Sequence, residues 1–182
     1  MVLALALKAE LNGVTDLRPR DTEDSPFFYT FTVQCTSCRE THANPISFTR
    51  FESNEQSGSK GEANFVWRCK NCKVSSAPPP SPFLPPCRLF LCVCREHSAN
   101  VRAPPVAYPQ SDPPKKMNIL EFDCRGLEFV EFRAEGEFLA TGVESGTKFE
   151  GIELPDGEWY DYDEKAGEEV SITGVEWEIR RA

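Results

Sequence analysis

An all-β protein is the fold class this sequence predicts, and three observations predict it. Alternating, β-branched and aromatic runs recur along the chain, clusters of Gly, Asn, Asp, Ser and Pro punctuate them, and no stretch carries sustained helical periodicity with caps. Strands of this kind pack into a sandwich or a distorted barrel. Residues 2–10 give the first strand. The start, Met1-Val-Leu-Ala-Leu-Ala-Leu7, lacks a basic flank, is short for a signal peptide and meets charge from Lys8 onward, so it reads as a buried strand. Asn12-Gly13 then turns the chain. Asp24-Ser25-Pro26 precedes an aromatic strand at 27–34. Strands at 46–52 and 63–69 flank the turn Ser57-Gly58-Ser59-Lys60-Gly61. Strands at 118–123, 128–133, 138–143 and 170–179 complete the set, with Pro155-Asp156-Gly157 as a turn before the last.

The organisation is one β-rich domain over 1–182, made of two lobes, 1–73 and 95–182. A weak internal echo fits two lobes. The run from Leu11 to Arg18 resembles that from Cys124 to Arg133, and each half later has a strand ending near a tryptophan, Trp67 and Trp177. Duplication and chance similarity between short hairpins both account for it. Between the lobes, residues 74–94 are an inserted loop with no acidic residue and prolines at 78, 79, 80, 82, 85 and 86. That density excludes a central strand and favours extended chain. Its Pro/Phe/Leu/Cys content, with Val74-Ser75 and Cys94-Arg95 at the junctions, fits a translated intron carrying a pyrimidine tract. A spliced transcript that holds codons 74–94 throughout ends that reading. A second proline-rich stretch, 103–114, reads as an ordered connector packed through its Tyr and Val.

Hydrophobic content of 40% and charged content of 27% fit a soluble globular chain, and no apolar run approaches the roughly 20 residues that span a bilayer. The charge is uneven. Residues 121–182 carry six Lys/Arg against eighteen Asp/Glu, whereas 1–73 carry nine of each. The acidic half repels phosphate backbones and counts against nucleic acid as a partner. It serves as a solubilising face or as a docking surface for a basic protein. A cytoplasmic or nuclear location, with reduced thiols and a monomeric chain, is the expectation.

The most informative residues are two Cys-x-x-Cys pairs, Cys35-Thr36-Ser37-Cys38 and Cys69-Lys70-Asn71-Cys72, each following a strand-like run. Four thiolates in two matched pairs are the ligand set of one tetrahedral zinc ion. Here they would join two hairpin knuckles across the 30 residues between Cys38 and Cys69. A closed four-thiolate site has no open position for chemistry. A redox Cys-x-x-Cys belongs at a helix N-terminus in a βαβ unit, a context neither pair has.

These pairs, with Leu17-Arg18-Pro19, Asn118-Ile-Leu-Glu-Phe-Asp-Cys-Arg-Gly-Leu-Glu128, Gly142-Val-Glu-Ser-Gly-Thr-Lys-Phe149 and Trp159-Tyr-Asp-Tyr-Asp-Glu-Lys165, carry a family likeness. The chain resembles the eukaryotic CXXC-motif-containing zinc-binding proteins over nearly all its length except about 74–94. The resemblance implies a β-rich, two-lobed fold with one zinc on Cys35, Cys38, Cys69 and Cys72, and no established enzymatic activity. Arg39 departs from the glycine that commonly follows a knuckle.

Other constellations read as structural. Cys87, Cys92, Cys94 and His97 lack a ligand spacing and are incidental. Cys124 is a small core residue. His42 lies near the first knuckle but is redundant beside four cysteines. Gly142 to Thr147 is a turn, not a nucleophile elbow. Asp161, Asp163, Glu164, Glu168 and Glu169 form an acidic loop, in which Trp159, Tyr160 and Tyr162 are core anchors or contact residues. The function expected is that of an intracellular protein-interaction or adaptor module with structural zinc and no catalysis. The alternative is a metal-handling protein that exchanges zinc or another soft metal. A thiol oxidoreductase ranks last.

Overall fold

The computed structural model describes residues 1–56, 61–72 and 96–182, which form fourteen strands and, among the described residues, no helix. The fold is all-β, as the residue pattern predicts. The first strand, β1 (Val2–Asn12), buries Leu3, Leu5 and Leu7 and also Ala4 and Ala6. Burial on both faces is why it reads as a continuous apolar run. Gly13, at φ 69, turns β1 into β2 (Val14–Pro19). Then come β3 (Tyr29–Cys35), β4 (Ile46–Phe48), a small hairpin of β5 (Asn54–Glu55) and β6 (Glu62–Ala63), β7 (Phe65–Trp67) and β8 (His97–Val101). The second half opens with β9 (Met117–Arg125), which Gly126, at φ 77, turns into β10 (Leu127–Arg133). It continues through β11 (Phe138–Gly142), β12 (Lys148–Ile152), β13 (Trp159–Asp163) and β14 (Glu168–Arg181). Both hairpin glycines occupy left-handed backbone that a side chain would strain.

The sheet order shows that the two halves repeat one connectivity. The large sheet runs β13-β14-β1-β9-β8-β7, and the two three-stranded sheets run β10-β3-β4 and β12-β11-β2. Exchanging β1 with β9, β2 with β10, β3 with β11, β4 with β12, β7 with β13 and β8 with β14 returns the same orders. The registers exchange too. Leu127 pairs Cys35 as Val14 pairs Gly142, Ser98 pairs Arg125 as Ser171 pairs Asn12, and Trp67 pairs His97 as Asp161 pairs Val170. The echo around Gly13 and Gly126 is therefore real. The tryptophan echo is not: Trp67 lies on β7, whose partner in the exchange is β13, whereas Trp177 lies on β14. Each half also lends a strand to the other, since β10 completes the sheet of β3 and β2 completes the sheet of β11.

The core is aromatic where it matters for the cysteines. Phe31 on β3 contacts Phe48, Phe122, Phe129 and Phe132 with ring centroids 4.3–6.0 Å apart, and Phe48 stacks on Phe65 of β7 at 5.5 Å. Each such pair adds about 0.5–1.5 kcal/mol beyond area burial. The cluster fixes β3 and β7, the two strands that lead into the cysteine pairs.

Some expected elements differ. The strand at 46–52 stops at Phe48, because the chain turns where the Thr49 amide bonds the Glu52 carboxylate at 3.1 Å. Strands β2, β5, β8, β12 and β13 lie outside the predicted set; they are short, and β12 and β13 alternate few apolar residues. In the connector Tyr108 is buried, its hydroxyl 2.9 Å from the Lys115 carbonyl, but Val106 is 55% exposed and does not pack. The insert at 74–94, with Cys87, Cys92 and Cys94, lies outside the described residues.

Candidate metal centre

Both cysteine pairs sit in tight turns at strand ends. Strand β3 ends at Cys35, whose amide donates to the Glu40 carbonyl at 2.9 Å, while the Arg39 amide returns to the Cys35 carbonyl at 3.0 Å. Arg39 closes the turn with φ 61, left-handed backbone where the departure from glycine is costly by about 1–2 kcal/mol. The Thr36 amide and hydroxyl both donate to the Gly126 carbonyl, at 3.0 and 2.9 Å, and tie this knuckle to the β9–β10 hairpin. The second pair follows β7. Arg68, just before Cys69, donates Nε to the Glu96 carboxylate at 2.8 Å and holds β7 beside β8.

The turns bring all four cysteines together. Cys35 Sγ lies 3.6 Å from Cys72 Sγ and Cys38 Sγ 3.5 Å from Cys69 Sγ, and all four sulfurs lie within 4.8 Å of one another. A zinc ion about 2.3 Å from four tetrahedral sulfurs sets them roughly 3.8 Å apart, so the cluster fits that ion with no rearrangement of the fold. Cys35 and Cys69 are buried, Cys38 and Cys72 half-buried. The thiols do not ionise alike. Hydrogen bonding from the Glu40 backbone holds Cys38 down at about 7, burial raises Cys69, and the neighbouring sulfurs, Cys38 first, raise Cys72. Four thiolates this close repel one another, and a divalent cation is the group that removes the conflict.

His97 is the residue that spacing along the chain did not single out. It is 4% exposed, its ring lies against Trp67 with centroids 5.3 Å apart, and its Nε2 is 3.6 Å from Cys35 Sγ. It therefore belongs to the site's wall and is not incidental. Its Nδ1 is buried with no hydrogen-bond partner among the described residues. Burial lowers its basicity. His42 stands outside the cluster, with Nδ1 2.7 Å from the Asn44 carbonyl.

The remaining candidates are structural. Cys124 is buried in the core, and burial pushes its thiol up to about 12. Ser145 donates to the Asp163 carboxylate, Thr147 Oγ1 donates to it at 3.1 Å, and the amides of Lys165 and Ala166 donate at 3.0 and 3.2 Å. That is a fastening between two turns. Trp159 packs edge-to-face on Phe149, while Tyr160 and Tyr162 are 66% and 53% exposed.

Comparison with known proteins decides the family. The model of the family described as CXXC motif containing zinc binding protein, eukaryotic, matches residues 4–77 and 88–180. The chain belongs to this family. Among its relatives is a UPF0587 protein of Schizosaccharomyces pombe, 46% identical over 98% of each chain. The Mus musculus CXXC motif containing zinc binding protein is 36% identical over 95% of this chain and 94% of its own length. A crystal structure of C1orf123 matches with a TM-score of 0.80 and 33% identity, covering 100% of both chains. The family name says zinc, and the four clustered sulfurs can hold one such ion.

Proposed function

We propose that this family member is a zinc-stapled protein-interaction module, in which Cys35, Cys38, Cys69 and Cys72 hold one structural zinc ion and no catalysis takes place. The closed cluster of four sulfurs carries this reading, since a zinc centre built for chemistry keeps one position for water or substrate. Each pair follows the end of a strand, and no helix among the described residues supplies the N-terminus that activates a redox cysteine. The partner surface is the acidic C-terminal half, where Tyr160 and Tyr162 stand exposed on β13, the outer strand of the large sheet. Aromatic side chains among acids suit a basic protein segment. The module acts as a monomer in the cytosol or nucleus, away from membranes and nucleic acid.

A second reading, exchange of zinc or another soft metal with partners, draws on the half-buried state of Cys38 and Cys72, which leaves two sulfurs within reach of an incoming ligand. A chelator challenge followed by circular dichroism separates the two. Structural zinc leaves slowly and takes the fold of the N-terminal half with it; exchangeable zinc leaves quickly and the spectrum stays native. A reversible disulfide form in glutathione buffer would favour the redox alternative over both.

A further inference from the structure

The repeated connectivity supplies an internal control for the metal centre. Under the exchange of halves, the Gly126 hairpin corresponds to the Gly13 hairpin. The Thr36 amide donates to the Gly126 carbonyl at 3.0 Å, as the Val143 amide donates to the Gly13 carbonyl at 2.9 Å. A Cβ on Gly126 would meet His97 Nδ1 at 2.0 Å, and one on Gly13 would meet Val170 Cγ1 at 2.7 Å. His97 therefore stands where the other half has Val170. The slot is one that an aliphatic side chain fills, sealed on the Nδ1 side by a glycine backbone. The difference between the two slots is what lies across from them. Cys35 lies against His97, and the residue of the other half that corresponds to Cys35 is Gly142, with no side chain at all.

We infer that His97 is a positioning residue for the metal centre: its imidazole carries a proton on Nε2 and donates an N–H···S hydrogen bond to the Cys35 thiolate without ligating the metal. The 3.6 Å from Nε2 to Sγ is hydrogen-bond range for sulfur. The opposite tautomer would bury a donor at Nδ1, where the described residues offer no acceptor, and would aim the Nε2 lone pair at a thiolate. Trp67 against the ring fixes its plane. A donor to a coordinated thiolate withdraws charge from the sulfur. It lowers that sulfur's nucleophilicity and makes a site with four anionic ligands less repulsive. Of the four sulfurs, Cys35 would then be the one protected from alkylation and oxidation.

This inference rests on metal at the four cysteines, and the experiment separates the two failures. First, the zinc stoichiometry of the wild-type protein is measured; a metal-free chain ends both readings. Next, His97→Val, the residue of the other half, is compared with His97→Gln, which keeps an N–H donor of similar reach. The expected result is one zinc per chain in both. His97→Val weakens zinc binding about 10–100-fold. It also shifts the thiolate-to-metal charge-transfer band of the cobalt(II)-loaded protein and speeds alkylation of Cys35. His97→Gln restores most of each. Unchanged affinity, band and alkylation in His97→Val overturn the assignment. Should His97→Val fail to fold, the wild-type protein loaded with cadmium-113 gives the answer by NMR. A protonated Nε2 with weak coupling to cadmium through sulfur supports the inference. A proton on Nδ1, or a large one-bond coupling between Nε2 and cadmium, contradicts it.

Discussion

Asp163 shows how a single buried carboxylate replaces a metal. It is 1% exposed and accepts from two hydroxyls and two amides. The Ser145 hydroxyl, most of all, holds its carboxyl below the ordinary 3.8. A carboxyl whose folded pKa is depressed stabilises the fold fully above its unfolded value and loses that contribution as pH falls through the folded value. The Asp163 carboxyl carbon should therefore titrate below 3.8 by NMR, with protection of the 165–167 amides falling in the same window. Asp163→Asn should show neither change, and should melt a few degrees lower at neutral pH. At Gly126 the backbone is left-handed and a Cβ would strike His97. Gly126→Ala should cost about 2–5 kcal/mol in a denaturant melt, the sum of strained backbone and overpacking. The importance of both residues was hidden in the sequence. Asp163 reads as one acid in an acidic loop, because the hydroxyls of Ser145 and Thr147 that clamp it are distant in the chain, and Gly126 gives no sign that His97 packs against it. The four cysteines were legible because metal-ligand spacing is a local signal.

The first knuckle and two turns of the second half are one element used three times among the described residues. The turn from Cys35 to Glu40 and the turn from Gly142 to Thr147 close with the same pair of backbone bonds, the first residue's amide donating to the sixth carbonyl and the fifth amide to the first carbonyl. Arg39, Gly146 and Gly167 stand at the left-handed position of their turns, with φ 61, 66 and 73. Matched this way, Gly142, Ser145, Asp163 and Ala166 replace Cys35, Cys38, Cys69 and Cys72. A Cβ on Gly142 would point at Asp163 Oδ2 and Ser145 Oγ, both at 2.6 Å, which is the direction a ligand there requires. Carrying cysteine at 142, 145, 163 and 166 together, the protein should bind a second zinc ion by elemental analysis; a count that stays at one would show that the turns differ in more than side chains. At this scale the sequence was partly readable. Long strands with apolar alternation, such as β3 and β10, stood out. Strand β13, Trp159-Tyr-Asp-Tyr-Asp163, and β12, with its internal Gly151, did not, since their stability comes from neighbours in the sheet and not from their own composition.

In the whole molecule the two halves share a sheet and exchange a strand each, yet fasten their corresponding turns differently. One half uses a carboxylate–hydroxyl clamp and the other four sulfurs. The binding free energy of structural zinc, about 10–16 kcal/mol in small zinc-finger peptides, is as large as the stability of a typical domain, about 5–15 kcal/mol. Metal should therefore govern the first knuckle and the segments around β4 and β7, while the clamp of the second half persists without it. All-β class and one four-cysteine centre were readable from strand pattern and spacing. The exchange of β2 and β10, and the place of His97, were not, since both are set by pairings far apart in the chain. The central claim is that one zinc ion on Cys35, Cys38, Cys69 and Cys72 holds the fold. Its most direct test is the intact mass of the unreduced protein under native conditions beside its denatured mass. One zinc per chain, lost only when the protein unfolds, is the predicted result. A metal-free chain lighter by two hydrogens for each disulfide would contradict it and make the cysteine pairs redox centres.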